Sequence, residues 1–346
     1  MKIKINNKLS FCQNQRPLII AEISCNHKGD KKFFLQHIKL AKKSGADLIK
    51  IQTYRPQDMT VSRNFKIKSG IWKGMNLWNL YDKAHTPFEW HKDAFKLAKK
   101  LKIPLFSSPF SVEAVNFLEK NFNPPIYKIA SFEITDLKLI KKIASLKKTI
   151  IISTGMANFK EINNALKIIN KIHNKVIIMH CVSGYPTPET ETNIRFIERL
   201  KKVYKKNLIG LSDHTKNIHS SLASIPLGVV AIEKHFIKSN NLKTFDSKFS
   251  LNPNMLKNLS YSLKKIYNCL GKEDKKDIKS ETHRNLRRSI FTTKKIKKNE
   301  KITEKNINTF RPKVGICASS YFDVLGKVVK YDLKSNEPLH WQYLKK

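Results

Sequence analysis

The stretch Gly210-Leu211-Ser212-Asp213-His214-Thr215 and its later echo, Ile232-Glu233-Lys234-His235-Phe236, decide how this chain is read. Each is a short apolar run ending in a polar cluster with one histidine, the pattern of a parallel strand that delivers a side chain to a site at its C-terminal edge. Two such strands in succession place His214 and His235 where they could share one divalent metal. A pair of purely structural histidines is the alternative at this point, because imidazole is a common structural side chain.

Outward from these strands, short apolar runs alternate with amphipathic stretches, as in βα units on a parallel sheet. Runs at 18–23, 47–52, 103–107, 126–130, 149–153, 176–181, 208–211 and 229–235 make eight strands. Helical patterns lie near 32–44, 88–101, 112–121, 136–146, 159–173, 191–204, 217–226 and 253–268. Eight βα repeats predict an α/β fold, a closed (β/α)8 TIM barrel over 17–272. Residues 1–16 alternate apolar and polar side chains around Asn6-Asn7, which predicts a hairpin plugging one end of the barrel. The charged run from Gly271 to Asp277 opens a linker over 273–286, and 287–346 reads as a small, mostly-β module of short strands and turns. The 346 residues accommodate both, since such a barrel takes roughly 250.

Lysine and arginine number 67 against 27 acidic residues, a net charge of +40. A charge of that size points first to a polyanion partner. Its distribution points elsewhere: Lys pairs such as Lys42-Lys43, Lys99-Lys100, Lys141-Lys142 and Lys201-Lys202 recur in nearly every predicted helix, as on solvated faces around a molecule. No nucleic-acid-binding motif accompanies them, so specific nucleic-acid binding is not expected, and attraction of a small anionic substrate is. The five cysteines are scattered without CxxC spacing, which implies free thiols in a reducing compartment. The early apolar run from Leu18 to Ile23 contains Glu22, and no run approaches the roughly 18 residues of a membrane span, so a soluble, cytoplasmic protein without membrane partners is expected.

The strand ends carry the chemistry. They present Glu22 and Asn26-His27, Lys50-Ile51-Gln52, Ser107-Ser108-Pro109-Phe110, Lys128 to Glu133, Ser153-Thr154-Gly155-Met156, and His180 to Pro186, all facing one rim. Two lysines, several hydroxyls and two histidines at a barrel mouth suit an anionic, phosphorylated substrate together with a metal. A Schiff-base lysine, Lys50 or Lys128, is the chemical rival. The longest connection, from Thr53 to about Pro87, holds Trp72, Trp78 and Tyr81, with Trp90 just beyond. It is a candidate substrate wall, the alternative being a satellite hydrophobic cluster.

Glu22 through Asn26-His27, Lys50-Ile51-Gln52-Thr53, Ser108-Pro109-Phe110, Tyr127 to Ser131, Ser153 to Met156, Gly210 to Thr215 and Glu233 to Phe236 together resemble the sialic acid synthase family. The resemblance runs through most of the chain and includes an antifreeze-like (SAF) module at 288–344. Trp72 to Trp78, Leu80-Tyr81, Thr86 to His91 and Asp246 to Ser250 resemble the pseudaminic branch of that family more than the N-acetylneuraminate branch. Two places depart from the family pattern: Ser111 stands where relatives usually have Asp, and Lys243-Thr244-Phe245 replaces the usual Gly-Gly-Pro before Asp246, in the loop that grips the sugar.

The resemblance implies condensation of phosphoenolpyruvate with an open-chain acetamido sugar, for the pseudaminic branch 2,4-diacetamido-2,4,6-trideoxy-L-altrose, with release of phosphate. N-acetylneuraminate or legionaminic acid synthesis on the same scaffold is the nearest alternative. It implies a divalent metal (manganese, magnesium or cobalt) on His214 and His235. Lys50 and Lys128, with Ser108, Ser131, Ser153, Ser183 and Ser212, then hold phosphoenolpyruvate; Glu22 orients or deprotonates water; Gln52, Tyr185 and Asp246 contact the sugar. Arg311 matches an arginine that the family reaches across a domain-swapped homodimer to the sugar. A deoxy sugar with a second acetamido group also suits the aromatic insertion better than a polyhydroxylated one.

Overall fold

The computed structural model describes residues 1–271 and 282–345; the first part of the expected linker, 273–281, lies outside the described residues. The chain divides into two compact units, Met1–Gly271 and Lys272–Lys346. Among the described residues no helix is long and apolar enough to cross a membrane.

In the first unit an antiparallel hairpin of β1 (Lys2–Lys4) and β2 (Ser10–Cys12) precedes eight parallel strands. These are β3 (Leu18–Glu22), β4 (Leu48–Thr53), β5 (Leu105–Pro109), β6 (Ile126–Ile129), β7 (Thr149–Ser153), β8 (Val176–Cys181), β9 (Leu208–Asp213) and β10 (Ala231–His235). They close in chain order, β10 pairing back onto β3. Their near-continuous burial is that of a parallel sheet covered on both faces. The helices are α1 (Lys31–Lys43), α2 (Pro56–Met59), α3 (Leu77–Ala84), α4 (Phe88–Lys100), α5 (Val112–Asn121), α6 (Leu137–Ser145), α7 (Phe159–Asn170), α8 (Phe196–Val203), α9 (His219–Ala223) and α10 (Pro253–Leu270).

Six helices start at side-chain caps. Asp30, Asn76, Ser111, Asp136, Asn158 and Asn252 each accept the backbone N–H three residues on. Ser111 is thus the N-cap of α5, and because Asp accepts the same bond, the departure from the family pattern there preserves the cap. The helix expected over 191–204 is shorter, with Asn193 at φ +45° just ahead of α8.

The strand pleat sorts side chains between two cores. Ile19, Ala21, Ile49 and Ile51 point outward against the helices. Leu18, Ile20, Leu48 and Phe106 point inward and fill the barrel floor, where Ile3 and Phe11 of the hairpin join them. The hairpin plugs that end, and full burial of Phe11 alone contributes roughly 1.5–3 kcal/mol. Gly210 is the thin place in this packing: a Cβ there would lie 3.2 Å from the Met179 side chain, which instead fills the barrel centre.

In the second unit β11 (Ser289–Thr292) pairs antiparallel with β12 (Ile307–Phe310). Isolated bridges, including Ile296 with Leu333 and Val329 with Leu344, extend the mostly-β character. A short helix, α11 (Tyr321–Val324), and several single turns complete it around a core of Ile290, Ile296, Ile302, Ile307 and Leu339.

Candidate active site

One register above the apolar floor, the same inward pleat carries Glu22 on β3, Lys50 on β4, Lys128 on β6 and Glu233 on β10, all at most 3% exposed. Lys50 is paired with Glu22 and lies 3.2 Å from Glu233, which is also 3.6 Å from Lys128. Burial opposes the charge on Lys50, Lys128 and Glu233, and pairing offsets it to different extents. For Lys50, Glu22 and Glu233 together outweigh burial and raise its pKa. For Lys128 burial outweighs Glu233 and lowers it. Glu233 is drawn down to about 2 because Lys128 and Lys50 overcome its own burial. Sequence reasoning missed Glu233 as a site residue. Its signal was the two-residue spacing to His235 on one strand, which puts both inside.

Above this layer the hydroxyls converge. Ser212 Oγ lies 3.3 Å from Glu233 Oε1. Ser131 Oγ contacts Cys181 Sγ at 3.4 Å. Ser108, Ser153 and Ser183 have buried hydroxyls with no hydrogen-bond partner in the protein. Such groups cost free energy unless a ligand or water satisfies them, so their clustering over two lysines marks an anion-binding cradle. A Cβ on Gly155 would crowd Ser183 Oγ and reach within 2.9 Å of Ser131 Oγ, so a glycine is what lets these hydroxyls approach. Cys181, buried between Ser131 and His214, is a second residue the sequence reading did not single out.

At the rim, His214 and His235 face each other with ring centroids 5.4 Å apart. His214 Nδ1 lies 2.9 Å from the Val182 carbonyl, which can only accept, so Nδ1 carries the proton and Nε2 is left with a lone pair. His235 Nδ1 lies 3.1 Å from Asp246 Oδ2. The two form no hydrogen bond, but a carboxylate beside Nδ1 favours the tautomer with the proton there. Each ring thus has an acceptor beside its Nδ1, the arrangement common to metal-ligating histidines, and for His214 that acceptor is hydrogen-bonded. Among the described residues no group of three or more His, Cys, Asp and Glu side chains forms a fuller metal cluster. Two imidazoles suit an open Lewis-acid site, whose other positions go to substrate and water.

Gln52 donates to Ser24 Oγ at 3.1 Å, and Ser24 donates to Asp246 at 2.6 Å, so Gln52 and Asp246 are joined through a serine the sequence reading passed over. The Tyr185 ring stands 4.5 Å from that of His214. Arg311 lies in the second unit, just after β12, and is exposed.

One expectation is corrected. His27 does not face the rim: it is buried, edge-on to Phe34 and Trp90, and burial lowers its pKa to about 4. Trp90 accordingly belongs to the layer between helices and barrel, where it packs against the core.

Outside the barrel, Lys234 and Asp213 form a buried pair at 3.3 Å. Lys234 also donates to the carbonyls of Thr215 at 2.6 Å and Asn217 at 3.0 Å. This network fixes the strand ends that carry His214 and His235.

A (β/α)8 barrel with an anion cradle beneath a histidine pair defines a class of protein: a barrel enzyme for small anionic substrates. More particularly, the chain belongs to the NeuB family, which it matches over residues 37–275, and it carries a SAF domain over 287–345. It is 40% identical to the pseudaminic acid synthase of Helicobacter pylori over 94% of this chain and 97% of that one. It is 38% identical to the N,N'-diacetyllegionaminic acid synthase of Campylobacter jejuni over 93% and 98%. Among solved structures it resembles the N-acetylneuraminic acid synthetase of Leptospira borgpetersenii, with a TM-score of 0.74 and 30% identity over 81% of this chain and 94% of that one.

Proposed function

We propose that this protein is a pseudaminic acid synthase, condensing phosphoenolpyruvate with 2,4-diacetamido-2,4,6-trideoxy-L-altrose to give pseudaminic acid and phosphate. The observation that carries the reading is the cradle itself: buried, unpartnered hydroxyls of Ser108, Ser153 and Ser183 above Lys50 and Lys128. The identity to pseudaminic acid synthases supports the choice of sugar.

In this reading Lys50 and Lys128, with Ser108, Ser131, Ser153, Ser183 and Ser212, hold the carboxylate and phosphate of phosphoenolpyruvate and aim its enol carbon at the aldehyde. Gln52, Tyr185 and Asp246 hold the sugar. A divalent metal (manganese, magnesium or cobalt) would be held by His214 and His235 and would supply Lewis-acid polarisation of a carbonyl when bound. C3 of phosphoenolpyruvate forms the new carbon–carbon bond to the aldehyde carbon, whose oxygen ends as a hydroxyl. Water then adds at C2 and Glu22 orients it or takes its proton. Breakage of the C2–oxygen bond releases phosphate and leaves the 2-keto acid.

The protein acts in the cytoplasm as a homodimer, Arg311 of one subunit completing the sugar site of the other, with residues 17–272 as the catalytic domain and 287–346 as the SAF domain. The 38% identity to a legionaminic acid synthase supports a second reading, the isomeric diacetamido sugar on the same scaffold. Mass and NMR analysis of the product made from each sugar tests both: pseudaminic acid is expected, and exclusive formation of legionaminic or N-acetylneuraminic acid would replace the first reading.

A further inference from the structure

The long connection between β4 and α4 places its aromatic residues in different surroundings. Trp78 lies under Arg63, whose guanidinium carbon is 3.8 Å from the ring centroid, and Tyr81 packs against Tyr54. Trp72 alone among them stands by the histidine pair: its ring is 5.5 Å from Tyr185, which is itself 4.5 Å from His214. Its indole N–H donates to the Phe245 carbonyl at 3.3 Å. Phe245 belongs to the loop after β10 and precedes Asp246, the neighbour of His235. Trp72 therefore joins two rim loops over the mouth.

Its own loop is closed for the purpose. Ile67 N–H donates to Met75 O at 2.9 Å, Gly74 N–H to Ile67 O at 2.8 Å, and Met75 N–H to Trp72 O at 3.0 Å. Gly74 turns the chain at φ +84°, a conformation that favours glycine. The facing loop is tied as well, Thr244 Oγ1 donating to Asn26 Oδ1 at 2.5 Å. Thus Lys243-Thr244-Phe245, where the sequence leaves the family pattern, is the segment that receives the indole.

We propose that Trp72, pinned to the Phe245 carbonyl and packed on Tyr185, is a specificity-determining residue that presents an apolar wall to the sugar and favours a deoxy, diacetamido sugar over a polyhydroxylated one. This rests on the sugar-condensing reading above. An indole face gains contact with a methyl or acetamido methyl group, and it desolvates a hydroxyl at the same place without bonding it. Apolar pockets discriminate by about 10- to 200-fold on this basis.

The test compares wild type, Trp72→Ala and Trp72→Phe of the full-length protein with phosphoenolpyruvate, Mn2+ and either 2,4-diacetamido-2,4,6-trideoxy-L-altrose or N-acetylmannosamine. Trp72→Ala is expected to raise the KM for the deoxy sugar about tenfold or more and to reduce its preference over N-acetylmannosamine, as a ratio of kcat/KM, by a similar factor. The KM for phosphoenolpyruvate should stay unchanged. Trp72→Phe, which keeps an apolar face but not the N–H, should fall between, and it decides the matter if the alanine variant does not fold. Folded variants with the wild-type sugar KM and the wild-type preference would overturn the proposal while leaving the reaction assignment intact. A wild-type protein that turns over neither sugar would overturn the reading on which it rests.

Discussion

His214 Nδ1 lies 2.9 Å from the Val182 carbonyl and His235 Nδ1 3.1 Å from the Asp246 carboxylate, and the two rings stand 5.4 Å apart at one barrel rim. This relationship predicts separable effects on metal binding and on folding. Titration calorimetry of metal-free protein with Mn2+ should show binding lost in His214→Ala and in His235→Ala, with the circular dichroism of the fold retained. Asp246→Asn should weaken binding by roughly 10- to 100-fold, the usual scale for a residue that orients a metal-ligating histidine. Unchanged Mn2+ affinity in either histidine variant would refute the pair as ligands.

Glu233 lies between Lys50 and Lys128, and the three do not contribute alike. Glu233→Ala leaves Lys128 buried without its carboxylate, whereas Lys128→Met leaves Glu233 still beside Lys50. Urea unfolding should therefore show the larger loss for Glu233→Ala, roughly 3–5 kcal/mol as for other broken buried pairs. Phosphoenolpyruvate, an anion in the cradle, should restore part of that loss. Equal destabilisation by both variants, with no rescue, would count against the cradle.

His37 is fixed at both nitrogens: its Nδ1 donates to the Phe33 carbonyl at 2.8 Å, and its Nε2, which must be unprotonated to do so, accepts from Lys238 N–H at 3.0 Å. A second proton would break the latter. Burial lowers its pKa to about 4, as it does for His27 and His91. The unfolded chain takes up protons near the ordinary value of about 6.5, where the folded chain does not. Stability should therefore be full above about pH 6.5 and fall progressively as pH drops toward 4. His37→Gln should flatten that slope by about one proton in urea titrations across this range. A slope identical to wild type would show that His37 takes its proton in the folded state.

Gly155 is a steric test of the same cradle. Gly155→Ala should raise the KM for phosphoenolpyruvate strongly, because the new methyl occupies the approach of Ser131 and Ser183. The sugar KM should move less. Steady-state kinetics with each substrate varied in turn decides it, and an unchanged KM for phosphoenolpyruvate would place the anion elsewhere.

The barrel was legible in the sequence because its strands are continuous buried runs and its helices strongly amphipathic with Ser, Asp or Asn caps, so both periods stand out. Lys50, Lys128 and the histidines were legible as strand-end residues. Glu233 was passed over: in Ile232-Glu233-Lys234-His235 every residue is buried, so burial does not tell the faces apart, and only its two-residue spacing from His235 puts it on the inner face while Lys234 points out to Asp213. His27 misled for the opposite reason. A polar residue just past a strand end looks like a rim residue, but the chain turns there and packs His27 between Phe34 and Trp90. The contacts of Trp72 with Tyr185 and the Phe245 carbonyl join segments far apart in sequence, which local pattern does not encode.

Phosphate release is the measurement that meets the central claim most directly. Purified protein, phosphoenolpyruvate and Mn2+ are combined with 2,4-diacetamido-2,4,6-trideoxy-L-altrose, its legionaminic-series isomer or N-acetylmannosamine, with and without chelator. Rapid, chelator-sensitive release with the altrose sugar, abolished in His214→Ala, is the predicted result. Release only with N-acetylmannosamine, or release that survives both chelator and the histidine substitution, would contradict the account.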